Sequence, residues 1–70
     1  MTFGQQIQLL RKENQITQDE FANYFYVTRQ TVSNWENDKC YPDLHTLVAI
    51  SERFNISLDT LIKGGLILSG

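Results

Sequence analysis

This 70-residue sequence predicts an all-α fold of five short helices around one core, on three observations. Helix start and stop signals recur at short intervals along the chain. Between those signals, apolar residues repeat at helical spacing. No segment shows the every-second-residue pattern of a half-buried strand. Residues 1–64 read as one domain and residues 65–70 as a short C-terminal tail.

Each helix carries its own signals. Thr2 with Gln5 three residues later makes a capping box, opening a first helix with Phe3, Ile7 and Leu10 on one face, which fades near Asn14. Thr17 with Glu20 makes a second box and starts a helix over residues 18–25, with Phe21, Ala22 and Phe25 inward. Thr28 caps a third helix that runs to about Asn37. Pro42 and Asp43 open a fourth, with Leu44, Leu47, Ile50, Ser51 and Phe54 expected inward and Asn55 at its end. Ser57 caps a fifth helix, SLDTLIK, closed by Gly64.

Composition narrows the function classes. At 41% apolar the chain is too hydrophobic to be disordered, although 70 residues lie near the lower limit for a self-sufficient core. No apolar run is long enough to span a membrane, and the start MTFGQQIQLLRKENQ lacks the order of a secretory signal. One cysteine cannot form an internal disulfide, so a reducing, cytoplasmic setting is expected. Six basic against eight acidic side chains give a net charge of −2, which is not the footprint of a nucleic-acid binder. Any positive surface must therefore come from folding.

The third helix raises the functional question. At about 100° per residue, Thr31, Val32 and Trp35 share one side, while Arg29, Gln30, Ser33, Asn34 and Asn37 share the other. A plain solvated face favours Lys and Glu, both strong helix formers. Here the outward side chains are forked or two-way hydrogen-bonding groups instead. Arg pairs bidentately with guanine, and Gln or Asn with adenine, in the major groove. The connection to the preceding helix is only about YVT, and Ala22 is small enough to let two helices cross closely. Such a connection leaves the helices steeply angled, as in a helix-turn-helix over residues 18–37.

The segments IQLLRKENQITQDEFA, VTRQTVSNWEND, YPDL and LVAISERFNISLDTLI together resemble the Cro/CI-type (XRE) helix-turn-helix regulators of phages and bacteria, across roughly residues 3–63. The resemblance implies a lambda-repressor-like five-helix domain. It implies that Gln18, Arg29, Gln30, Ser33, Asn34 and Lys39 face DNA. Arg29, Gln30, Ser33 and Asn34 are then expected to read base edges, and Gln18, Thr28, Asn37 and Lys39 to meet phosphates. It also implies an internal ion pair between Arg11 and Glu36. The partner would be a double-stranded DNA operator, bound by a homodimer that acts as a repressor, with no cofactor. The alternative is a protein-interaction module on the same fold, such as an antitoxin. An enzyme is not expected, since one His, one Cys and no glycine-rich loop make no catalytic set.

Three positions depart from that family's pattern. Tyr26 stands where the turn commonly has Gly, so the turn is expected to take another shape. Asp38 follows the third helix, where a carboxylate near phosphates would weaken binding. Ser51 replaces a small apolar residue and is expected to bond back to its own helix. Tyr24 and Tyr41 are expected at the rim of the core, and Cys40 and His45 as loop and surface residues that hold no metal. The apolar residues of the tail LILSG either fold back on the core or join the fifth helix in a dimer contact.

Overall fold

A computed structural model of the chain describes residues 1–63, which form five helices: α1 (Phe3–Glu13), α2 (Gln18–Tyr24), α3 (Arg29–Glu36), α4 (Leu44–Phe54) and α5 (Leu58–Lys63). Both capping boxes form as the sequence predicts: Thr2 and Thr17 accept from the backbones of Gln5 and Glu20, whose side chains accept in return. Thr28 accepts from the Thr31 backbone and Asp43 from the Thr46 backbone. Hydrogen bonds from Thr46 hold the Asp43 carboxyl below the usual carboxylate range. Its share of the cap is therefore present at neutral pH and fades in acid as the carboxylate protonates. The second helix stops one residue early, with Phe25 as its C-cap, and Asn37 likewise caps α3. Gly64 and the tail LILSG lie outside the described residues.

The core gathers Phe3, Ile7, Leu10, Phe21, Ala22, Phe25, Val32, Trp35, Ile50 and Leu61 from all five helices. The rings of Phe21 and Phe54 stack with centroids 5.5 Å apart. Tyr24 sits half-buried at the rim, under the guanidinium of Arg53 3.8 Å from its ring centre. Tyr41 meets Phe3 edge-on at 5.5 Å yet is otherwise exposed. Leu44, expected inward, is 67% exposed. It precedes Ile50 by six residues, about 120° around the helix at 100° per residue, so it cannot share the face that Ile50 buries.

One carboxylate ties the first three helices together. Glu36, at the end of α3, is 5% exposed. Its oxygens accept from Arg11 Nε at 2.7 Å, Arg11 Nη2 at 3.2 Å and Gln18 Nε2 at 3.0 Å. The implied Arg11–Glu36 pair is thus present, with Gln18 of α2 as a third member. Close approach of α1 to the end of α3 is possible because of Gly4. A Cβ there would lie 2.7 Å from the carbonyl oxygen of Trp35 and nearer still to that of Glu36.

Four helix ends close with the same backbone geometry and without glycine. Gln15, Tyr26, Asp38 and Asn55 all have φ between 53° and 59°. After each, the next N–H returns to a carbonyl five residues back: Ile16 to Arg11, Val27 to Ala22, Lys39 to Asn34 and Ile56 to Ser51. The turn after α2 therefore keeps the left-handed form, contrary to the expectation for Tyr26, because these returned hydrogen bonds outweigh the local steric cost. Ser51 also departs from expectation. Its Oγ donates to the carbonyl oxygen of Ile56 beyond the helix end, at 2.5 Å, and completes a two-way clamp around Asn55.

Two stability changes follow. Arg11→Met should cost about 3–5 kcal/mol, because it leaves the buried Glu36 carboxylate without its cation. Adding Glu36→Gln should recover part of that loss in chemical denaturation, and no recovery would mean that packing of Arg11 dominates. Tyr26→Gly should gain about 1 kcal/mol, since the ring is 96% exposed and only Gly takes this φ without strain. That gain corresponds to a melting midpoint higher by roughly 4–8 °C. An unchanged midpoint would show that the turn carries no strain to relieve.

Candidate nucleic-acid interface

The two faces of α3 separate as its sequence requires. Val32 and Trp35 are buried, at 0% and 3% exposure, and anchor the helix on the core. On the opposite side Arg29 and Gln30 are exposed, and Ser33 and Asn34 are half-buried. No apolar side chain interrupts this outward arc. Glu36 fixes the far end of the helix to α1 and α2, so the arc is presented on a braced element rather than a free one.

Within the arc the polar groups already bond to one another. Gln30 Nε2 donates to Asn34 Oδ1 at 3.1 Å. Asn37 Nδ2 donates to the carbonyl oxygen of Ser33 at 2.8 Å and lies 3.4 Å from its Oγ. The amide nitrogen of Asn37 is therefore turned back on its own helix, and a phosphate contact would compete with its bond to Ser33. Thr28 accepts from the backbone N–H of Thr31 at 3.1 Å and shares a hydroxyl hydrogen bond with Thr31 at 2.9 Å.

The flanking residues divide differently. Gln18 and Arg29, from two helices, line one cleft of about 550 Å³ together with Arg11, Thr17 and Asp19. Gln18 spends one amide N–H on Glu36, which leaves it one further N–H for an outside acceptor. Lys39 is exposed just past α3, and its backbone N–H bonds to the carbonyl oxygen of Asn34 at 2.9 Å. Asp38 beside it does not leave a free carboxylate there. Its Oδ1 accepts from the backbone N–H of Gly4 at 2.9 Å, which commits the charge to the first turn of α1.

Three features escaped the sequence reading: the bracing role of Gln18, the Asp38 contact with α1, and the need for Gly4. Only the last had a local signal, because a glycine in a helix is a weak point unless something requires it. Cys40 and His45 are both exposed. Among the described residues no three His, Cys, Asp or Glu side chains are placed to share a metal ion.

Known proteins are similar to this chain in sequence and in fold. The chain is 38% identical over 64 residues to the HTH-type transcriptional activator BcrR of Enterococcus faecalis, covering 91% of this chain and 31% of that protein. It is 32% identical over 62 residues to the immunity repressor of Bacillus phage phi105, covering 89% of this chain and 43% of that protein. The chain thus spans less than half the length of both relatives. Its structure matches the P22 c2 repressor in complex with synthetic operator 9T with a TM-score of 0.84 and 30% identity, over 91% of this chain and 97% of that one. It also matches the solution structure of the P22 c2 DNA-binding domain with a TM-score of 0.82 and 28% identity, over 100% of this chain and 92% of that one. Residues 7–61 match the helix-turn-helix family model, and the chain belongs to that family.

Proposed function

We propose that this chain is a DNA-binding transcriptional regulator that reads a double-stranded operator with α3 in the major groove and acts as a repressor by occupying it. The single observation that carries this reading is the uninterrupted arc of Arg29, Gln30, Ser33 and Asn34 on a helix whose other face is buried. Arg29, Gln30 and Asn34 take the base-reading role, with Ser33 between them. Gln18, Thr28 and Lys39 flank the arc and take the phosphates, for which the free N–H of Gln18 and the exposed ammonium of Lys39 are suited. Asn37 joins them with its amide shared between Ser33 and a phosphate. All three similar proteins, a transcriptional activator, an immunity repressor and the P22 c2 repressor in complex with a synthetic operator, support a DNA-binding regulator, and the two repressors alone support repression. No helix among the described residues is long and apolar enough to cross a membrane, which suits a cytoplasmic regulator.

Base reading and phosphate holding separate experimentally. Gln30→Ala should cost about 1–3 kcal/mol on the preferred duplex and little on random DNA. Lys39→Ala should weaken both alike and lower the salt slope by about one unit. Titrations on both duplexes at two salt concentrations decide the matter. Equal losses for Gln30→Ala on both duplexes would remove α3 as the reading head and favour a protein-binding role.

We further propose that the chain binds its operator as a homodimer through the exposed end of α5, where Ile62 is 50% exposed beside Tyr41 and Phe3. Footprinting should then show two symmetric half-sites about one helical turn, roughly 34 Å, apart. Protection of a lone half-site would refute the dimer.

A further inference from the structure

The hydrogen bond within the outward arc has consequences for which bases the helix can accept. We infer that Gln30 and Asn34 form one coupled reading unit that selects adenine at the base pair facing Gln30 and an acceptor-edged base, guanine or thymine, at the neighbouring pair facing Asn34. The inference rests on the DNA-reading role proposed above and goes beyond it by assigning each amide a hydrogen-bonding sense.

A free carboxamide has two N–H donors and a carbonyl with two lone pairs, and by rotating it can meet donors or acceptors alike. The bond between these two removes that freedom. Gln30 spends one N–H on the Asn34 carbonyl oxygen, at 3.1 Å. What it has left is one N–H and its own Oε1, on an exposed side chain. That donor–acceptor pair complements adenine, which offers N7 as acceptor and N6–H as donor in the major groove. Guanine offers two acceptors, N7 and O6, and would face Oε1 with an oxygen.

Asn34 has spent a lone pair of its carbonyl on Gln30 and keeps both N–H groups of Nδ2 free. With one of its two carbonyl lone pairs taken, it presents two donors against one remaining acceptor site, which favours the O6 and N7 of guanine or the O4 of thymine over the N4–H donor of cytosine. The two residues are one helical turn apart, and Asn34 is half-buried, so it has less room than Gln30 to rotate away. Asn34 in this way orients Gln30 as well as reading on its own account.

Selection of bound duplexes from random DNA tests this with four proteins: wild type, Gln30→Ala, Asn34→Ala and Asn34→Asp. The pair whose preference disappears in Gln30→Ala identifies the base facing Gln30. In the wild type that base should be adenine, preferred by about ten- to a hundredfold. Asn34→Ala should lower the adenine preference as well as its own, because Gln30 regains its freedom. Asn34→Asp is the sharper variant, since a carboxylate still accepts from Gln30 but has no donor to give. It should keep adenine at the first pair and turn the neighbour from guanine or thymine to cytosine.

The inference is overturned if Asn34→Ala leaves the adenine preference intact, which would make the amide bond a surface contact without influence on reading. It is also overturned if the wild type selects guanine at the Gln30 pair and only Asn34→Asp selects adenine, since the bond would then run in the opposite sense. A wild type that enriches no sequence overturns the DNA-reading role itself, and that result is distinct from the other two.

Discussion

The Glu36 carboxylate is the constraint on which the arrangement of the first three helices depends. It is nearly inaccessible to water, and it takes hydrogen bonds from Arg11 on α1 and Gln18 on α2 while belonging to α3. An uncompensated charge in that position would be costly, so the three helices must meet with their donors correctly aimed. Gly4 makes the meeting possible by letting the first turn of α1 lie against the carbonyls of Trp35 and Glu36. The end of α3 is thereby fixed, and with it the direction in which the outward arc faces. A helix of eight residues has little stability of its own, so its orientation has to be imposed by its neighbours.

The excess of acid over base is compatible with the proposed DNA-reading face because half of the eight carboxylates bond within the fold. Glu36 holds the helices together, and Asp38 accepts from Gly4. Glu20 closes the capping box of α2, and Asp43 caps α4. Asp59 pairs with Lys63 on α5 at 3.3 Å, well away in sequence from α3. For a polyanion that approaches the outward face of α3, the local field near Arg29 and Lys39 counts for more than the sum over the chain.

Turns without glycine are the second organising feature. The returned hydrogen bonds after α1, α2, α3 and α4 satisfy carbonyls that would otherwise be left open, and they set the angle at which the next segment departs. For the two helices of the motif, this means that Tyr26 adopts a conformation its side chain disfavours. That turn joins α2 to α3, and the buried side chains of Phe21, Ala22, Val32 and Trp35 hold the two helices in place.

Local rules carried much of the answer. The capping boxes at Thr2 and Thr17, the caps at Thr28 and Asp43, and the buried positions of Ile7, Phe21, Val32, Trp35 and Ile50 were legible because each depends on residues three or four apart on one helix. The same periodicity made the outward set Arg29, Gln30, Ser33 and Asn34 readable, and the Arg11–Glu36 pair was implied by resemblance. A strict count of 100° per residue would have set Leu44 apart from Ile50. Periodicity could not reveal that Ser51 reaches forward to Ile56, because that bond depends on how the helix end meets the following chain. Nor could it give the link from Gln18 to Glu36, the contact from Asp38 to Gly4, or the closeness that Gly4 permits. Those contacts join residues 18 to 34 positions apart, and only the packing of three helices brings their atoms within hydrogen-bond reach. The sequence by itself thus determined the helices and their faces, since these are short-range properties. Tertiary structure alone decided how the faces meet and which polar groups remain free for a partner, since these depend on atoms that are distant along the chain.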